Sequence, residues 1–251
     1  MNSKPLSSAV FANRAASVRR MGAALACAIA TALVASVPAQ AASIDAVVKA
    51  VKFDYPEGVT KALSAGQDPN ATDENGMPLL VLAAREKSDK VAAVLLDNPQ
   101  TKIDAQDSAG ETALMLASLN GDIDLVKLLI TKGAQVNKTG WTALHYAAAN
   151  GHDDIAKLLL GYSAYVDAPS PNGTTPLMMA ARGDHLSTIK LLIDKGADIN
   201  AKNQIGMNAL AFAKQYKAPD AIKDLSARMA AAGGTAGGTA DDTAAPQNSA
   251  K

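Results

Sequence analysis

The 251 residues carry 24 basic and 24 acidic side chains, so the formal charge is zero. No block of Lys or Arg accompanies that balance, which argues against a nucleic-acid partner, since such a partner demands clustered cations. Apolar residues make up 48% of the chain but aromatics only 4%, so the core has to be built from Leu, Ile, Val and Ala, a palette that suits thin layers of small helices.

Residues 1–41 read as a cleavable secretory signal. Arg14, Arg19 and Arg20 form a basic opening and no acid occurs before Asp45. Met21–Val37 is an apolar run broken by Pro38, and Ala39-Gln40-Ala41 supplies the small-x-small pattern of a cleavage site near Ala41. The run is short and Ala-rich for a retained membrane anchor, which needs ~20 apolar residues. Both general and twin-arginine export remain open. Removing the segment takes away Lys4, Arg14, Arg19 and Arg20 and no acid, leaving a net charge of −4 from the 24 and 24. It also takes away Cys27, the one cysteine, so the mature chain holds no disulfide or thiolate metal site. The expectation is a periplasmic protein, free of the membrane after cleavage.

Beyond the leader the chain repeats itself. Openings begin at Pro78 (PLLVLAA), Thr112 (TALMLAS), Thr142 (TALHYAA), Thr175 (TPLMMAA) and Asn208 (NALAFAK), at steps of 34, 30, 33 and 33 residues. A second apolar run follows four of them: VAAVLL at 91–96, LVKLLI at 125–130, IAKLLL at 155–160 and TIKLLI at 188–193. Three then turn through KGAQVN (132–137), GYSAYVD (161–167) and KGADIN (195–200). Thr112, Thr142 and Thr175 suit helix N-caps, and Pro176 stands just inside a start, where its missing N–H does no harm. Small pairs such as Ala147-Ala148 and Ala180-Ala181 allow neighbouring helices to approach, while recurrent leucines form one stripe per helix. Gly133 and Gly196 follow helix ends at a position suited to left-handed dihedrals. No one repeat can bury its apolar face alone; stacking makes the core.

This pattern resembles the ankyrin repeat, whose signature joins a Gly turn, T-P-L-H-x-A-A, G-H-x-x-I-V-K-L-L-L and G-A-D-V-N. The resemblance spans about 43–230 and implies an all-α solenoid of helix–turn–helix pairs with finger loops, about six repeats including two caps. The expected divisions are an N-cap at 43–72, repeats at 73–106, 107–138, 139–168 and 169–202, and a C-cap repeat at 203–232. Residues 233–251, rich in Gly, Thr and Ala, read as a disordered low-complexity tail. Two departures stand out. The 30-residue step into Gly140 removes three loop residues, so that finger should be stunted. Ser163 replaces the turn glycine, which should strain or reshape its turn.

The stretch GWTALHYAAANGHDDIAKLLL (140–160) gathers His145, His152, Asp153, Asp154 and Trp141 and raises the question of catalysis. The resemblance answers it structurally. His145 falls in the histidine slot of the first helix, with a ring expected to bond neighbouring backbone; His152 and His185 open second helices. Thr142, His145, Gly133, Gly196 and Asn200 are therefore read as structural residues. Asp153 and Asp154 are adjacent and point in different directions on a helix, and no zincin, Walker or dinucleotide-binding motif is present. No catalytic residue, metal site or cofactor is assigned.

The family's concave groove implies two columns of partner-contacting positions. One reads Met77, Glu111, Trp141, Thr174, Met207; the other reads Arg85, Leu119, Ala149, Arg182, Gln215. Tryptophan, methionine and arginine together have the composition of an interface hot spot, so Trp141, Met77, Glu111, Met207, Arg85, Leu119, Arg182 and Gln215 are the partner-binding candidates. The functional expectation is a monomeric, non-enzymatic module that binds another protein. That partner is either an enzyme it supports, such as a periplasmic peroxide-removing enzyme, or a toxin it neutralises as an immunity or inhibitor protein. The rival is a metal-binding or hydrolytic protein using His145 and His152.

Overall fold

The computed structural model describes residues 43–234. The expected leader, its cleavage site near Ala41 and residues 235–251 lie outside them. Twelve helices form six hairpins among the described residues: α1 (Ile44–Lys52) with α2 (Pro56–Ser64), α3 (Leu79–Glu86) with α4 (Asp89–Asp97), and α5 (Ala113–Asn120) with α6 (Ile123–Thr131). The series continues through α7 (Ala143–Ala149) with α8 (Asp153–Gly161), α9 (Pro176–Arg182) with α10 (Leu186–Asp194), and α11 (Ala209–Gln215) with α12 (Pro219–Gly234). No helix in this range is long and apolar enough to cross a membrane.

The hairpins stack into a solenoid because their first helices offer a small-residue face. Ala83, Ala84, Ala117, Ser118, Ala147, Ala148, Ala180 and Ala181 are all fully or almost fully buried. The lack of bulk lets α3, α5, α7, α9 and α11 pack closely in a row, while α4, α6, α8 and α10 touch their neighbours more sparsely. Tight spacing on one side and looser spacing on the other bend the row, with the first helices on the inner arc. Leu129, Leu159 and Leu192 from the second helices fill the space between the two layers. The result is one continuous apolar seam rather than six separate cores.

Both ends are complete helical hairpins. Residues 43–72, read as an N-cap, form the first hairpin: Ser43 accepts the Ala46 N–H at 3.4 Å to start α1, and Asp54 turns the chain at φ +46. At the other end α12 runs 16 residues to Gly234, so the helix continues two residues into the stretch 233–251 read as disordered. Its predecessors α4, α6, α8 and α10 are 9 residues long.

Four finger loops share one hydrogen-bonded turn. Asp73, Asp107, Ser170 and Asn203 each accept, through a side-chain oxygen, the N–H four residues on, at Met77, Glu111, Thr174 and Met207, all at 2.9 Å. Each also donates its own N–H back to that residue's carbonyl. The finger before Gly140 makes no such turn. In the other repeats the turn anchor follows an Asn or Asp three positions earlier (Asn70, Asp104, Asp167, Asn200), and the side chains of Asn70, Asp104 and Asp167 bond the backbone of the next repeat. Losing three residues fuses the two posts at Asn137. That residue spends its amide on the next repeat, donating to the Ser163 carbonyl at 2.8 Å and accepting the Tyr165 N–H at 2.9 Å. The finger is stunted because its anchor is already engaged.

Ser163 does not reshape its turn. It adopts φ +62, close to the region used by Gly66, Gly133 and Gly196 at φ +92 to +99, and the same two bonds close all four turns, here Ser163 N–H to Leu160 and Ala164 N–H to Leu159. The stacked structure imposes the left-handed backbone and the serine side chain bears the strain.

Candidate functional site

His145 is fully buried, and both ring nitrogens are occupied. Thr142 brings its N–H to 3.2 Å and its hydroxyl to 2.9 Å of Nδ1. Nε2 lies 2.9 Å from the Thr174 carbonyl. A carbonyl only accepts, so Nε2 carries the proton and Nδ1 is the acceptor: one neutral tautomer is specified. Burial pushes the imidazole down to about 4, against the opposing pull of the backbone carbonyl. The neighbouring repeats do the same job with sulfur, Met115 and Met178 placing Sδ 3.5 Å from the N–H of Thr112 and Thr175. Thr112 and Thr175 in turn cap their helices through Oγ1, at 3.4 Å from the Met115 and Met178 N–H groups.

The other members of the cluster point elsewhere. His152 places Nε2 3.0 Å from the Leu119 carbonyl, and His185 does likewise to Ala149, so each ring ties its hairpin to the one before. Gly121 and Gly151 make room for these rings: a Cβ there would come within 2.6 Å of His152 and 2.5 Å of His185. Asp153 accepts the Thr188 hydroxyl, and Asp154 is exposed. Every imidazole is engaged with backbone from a neighbouring repeat. The geometry assigns these residues to stacking, and His145 and His152 do not converge on a shared reactive point. Gly133 and Gly196 close turns as described, and the Asn200 N–H is accepted by Asp198 at 2.9 Å.

The inner arc holds a pocket of about 500 Å³ spanning α5, α7 and α9, walled by Leu119, Trp141, Tyr146, Met179 and Arg182, with His145 at its back. It therefore brings together Trp141, Leu119 and Arg182 from the eight partner-binding candidates. Trp141 stands edge-on to His145 at 5.1 Å and to Tyr146 at 6.5 Å between ring centroids. Arg182 lies with its guanidinium carbon 4.9 Å from the Tyr216 ring centre, and no carboxylate among the described residues pairs with it.

The remaining candidates lie outside this pocket. Glu111 reaches it indirectly, accepting the Tyr146 hydroxyl at 2.6 Å; burial and that carboxylate push the Tyr146 hydroxyl above its ordinary range, so it stays protonated as the donor. Arg85 pairs with Glu86 at 3.1 Å, Met207 is half-buried in its finger and Gln215 is exposed at the end of α11. Met77 is only 8% exposed and belongs to the core, leaving little surface for a partner. Tyr146 and Met179 were not among the candidates. Both stand four residues after their repeat's Thr, in a column reading Leu82, Leu116, Tyr146, Met179, Phe212, and the change there from leucine to larger, polar-tipped or flexible side chains was the signal.

A curved stack of helical hairpins with a groove on its inner arc is the architecture of a recognition scaffold. Residues 47–139 and 99–170 match the family model for ankyrin repeats in three copies, and residues 172–204 match that for a single ankyrin repeat. The chain belongs to the ankyrin-repeat family. It is similar to an ankyrin repeat-containing protein of Treponema pallidum (strain Nichols), 34% identical over 158 residues, covering 62% of this chain and 43% of that protein. It is also similar to the nuclear factor NF-kappa-B p105 subunit of Gallus gallus, 35% identical over 154 residues, covering 59% of this chain and 16% of that one. M-phase phosphoprotein 8 of Homo sapiens is 40% identical over 75 residues, 29% of this chain and 9% of that protein. The chain thus spans less than half the length of each of these relatives. Ankyrin repeats are in general non-enzymatic scaffolds for protein–protein interaction, and this chain carries such a module.

Proposed function

We propose that the protein is a non-enzymatic binding module of the bacterial periplasm that holds a partner protein in the groove formed by α5, α7 and α9. The observation that carries the reading is the pocket itself, where the chain's one tryptophan, a leucine, a methionine and an arginine meet at the repeat with the stunted finger. Large aromatic and cationic side chains clustered in a concave site are the usual anchors of an interface. A stacked scaffold loses little conformational entropy on binding, which favours capture of a partner by a preformed surface. The periplasmic location is supported by the basic, apolar and small-x-small series of residues 1–41.

The test is affinity capture from periplasmic extract of the source organism with the wild type and with Trp141→Ala. Recovery of one partner by the wild type and its loss from the variant, with both proteins melting cooperatively, supports the groove. Equal recovery by both removes it.

A further inference from the structure

The inner and outer layers of the solenoid differ in charge. Helices α5, α7 and α9, which wall the groove, carry one charged side chain, Arg182, and no acid, while α3 in the same row carries Arg85 paired with Glu86. Helices α4, α6, α8 and α10 carry six aspartates (Asp89, Asp97, Asp124, Asp153, Asp154, Asp194) against four lysines. The groove walls are therefore almost uncharged apart from Arg182, whereas the outer helices carry two more acids than lysines. The acid nearest the pocket, Glu111, precedes α5 and accepts the Tyr146 hydroxyl. Arg182 ends α9, so the two charges stand toward opposite ends of the inner helices.

Arg182 is also presented rather than consumed. Its guanidinium rests on the Tyr216 ring, a contact that restrains the side chain without neutralising it, and leaves its planar fork of donors for a carboxylate. Beside it, Leu119, Trp141 and Met179 line the apolar side of the same open pocket of about 500 Å³, which has room for a large side chain together with a neighbouring one.

We infer that this pocket selects an acidic segment of the partner protein. An aromatic or large aliphatic side chain fills the space between Leu119, Trp141 and Met179, and an Asp or Glu within one or two positions pairs with Arg182. The inference rests on the groove reading above and gives it a specificity: the partner carries an acidic-apolar motif in an accessible segment. Electrostatic complementarity of this kind sets orientation and partner choice more than total affinity.

The test uses the purified full protein and a phage-displayed random peptide library, followed by synthetic peptides from the selected set and their Asp→Asn or Glu→Gln analogues. Because Trp141 is the sole tryptophan and lines the pocket, its fluorescence reads occupancy directly. The expected result is a selected set in which an aromatic or aliphatic residue is flanked by Asp or Glu. Neutralising that acid should weaken binding to the wild type roughly fivefold or more at low salt, and should change little in Arg182→Gln. Arg182 is exposed, so Arg182→Gln should keep the wild-type melting temperature. A neutral consensus, an empty selection, or an equal loss in wild type and Arg182→Gln overturns the inference. Should any of these occur while Trp141→Ala still abolishes capture of the natural partner, the groove stands and only its acidic preference is lost.

Discussion

Replacing His145 by methionine should make the protein less stable at neutral pH and more stable in acid. The folded protein binds the ring neutral, with its proton lost at about pH 4, whereas an unfolded histidine titrates near ~6.5. The unfolded chain therefore takes up a proton that the folded one refuses, and stability is full above about pH 6.5 and falls as pH drops toward about 4. At about 1.4 kcal/mol per unit, the separation is worth about 3 kcal/mol, most of it already lost by about pH 4.5. His145→Met abolishes that titration while using a residue the neighbouring repeats accept at the same post, Met115 and Met178. It gives up the bond to the Thr174 carbonyl, which still receives the Ser170 N–H at 2.9 Å, so the cost near neutrality is about 1 kcal/mol. Urea unfolding of both proteins should show the wild type ahead by about 1 kcal/mol at about pH 7 and behind by a similar amount at about pH 4.5. His152 and His185 are common to both and cancel. Parallel stability curves, with no crossing, would refute the claim that a buried neutral ring joins these repeats.

Four other substitutions test the turns and the outer layer. Ser163→Gly relieves a left-handed serine at φ +62; after the entropy cost of glycine in the unfolded chain, a gain of about 0.5 kcal/mol should raise the urea midpoint, and a fall would contradict the strain argument. Gly151→Ala should cost about 2 kcal/mol or more and Gly133→Ala about 1, because both have positive φ but only the first would drive a Cβ into His185, with nothing within 4 Å of the second; equal losses in the two melting curves would show that the imidazole contact is unimportant. Asp89→Asn should raise the melting temperature at neutral pH, since desolvation and then the Asp122 carboxylate push Asp89 up to about 6. The folded state holds that proton more tightly than the unfolded, so the penalty is absent below the unfolded value and complete above about 6. The gain should shrink in high salt, and no gain at low salt would show that the pair is fully solvated.

The fold was legible because its determinants are local and periodic. Thr, Leu and paired Ala recur at a fixed spacing, and each has one physical task that neighbouring copies repeat: cap, core, close approach. The N-terminal hairpin was harder to read because α1 starts from Ser43 and lacks the T-P-L-H-x-A-A opening, although Val47, Ala50 and Val51 on it are buried in the same seam. The stunted finger could be read as a deletion of three residues, but its cause lies in the hydrogen bonds of Asn137, which only the stacking of turns reveals. Ser163 was legible as an exception and not as an outcome, since whether a turn bends or a side chain strains depends on how firmly both neighbours hold it. At the pocket, Trp141, Leu119 and Arg182 follow from columns of the repeat, whereas Tyr146 and Met179 occupy a column that is core leucine in two earlier repeats. Met77 shows the converse, a groove column position turned into the core.

The histidines illustrate how a repeat separates chemistry from structure. Taken alone, two imidazoles, two aspartates and a tryptophan within 21 residues look like reactive equipment. Laid over the next repeats, His145 exchanges with methionine at the same bond to a threonine N–H, and a thioether cannot transfer a proton. His152 and His185 make the same bond one repeat apart. Whatever a column keeps constant serves the stack, since every repeat must meet its neighbour in the same way. The proposed recognition site lies where groove columns differ. In this chain the differences converge on one place: the finger that lost its anchor, the tryptophan beside it, and the arginine left without a carboxylate at the end of α9.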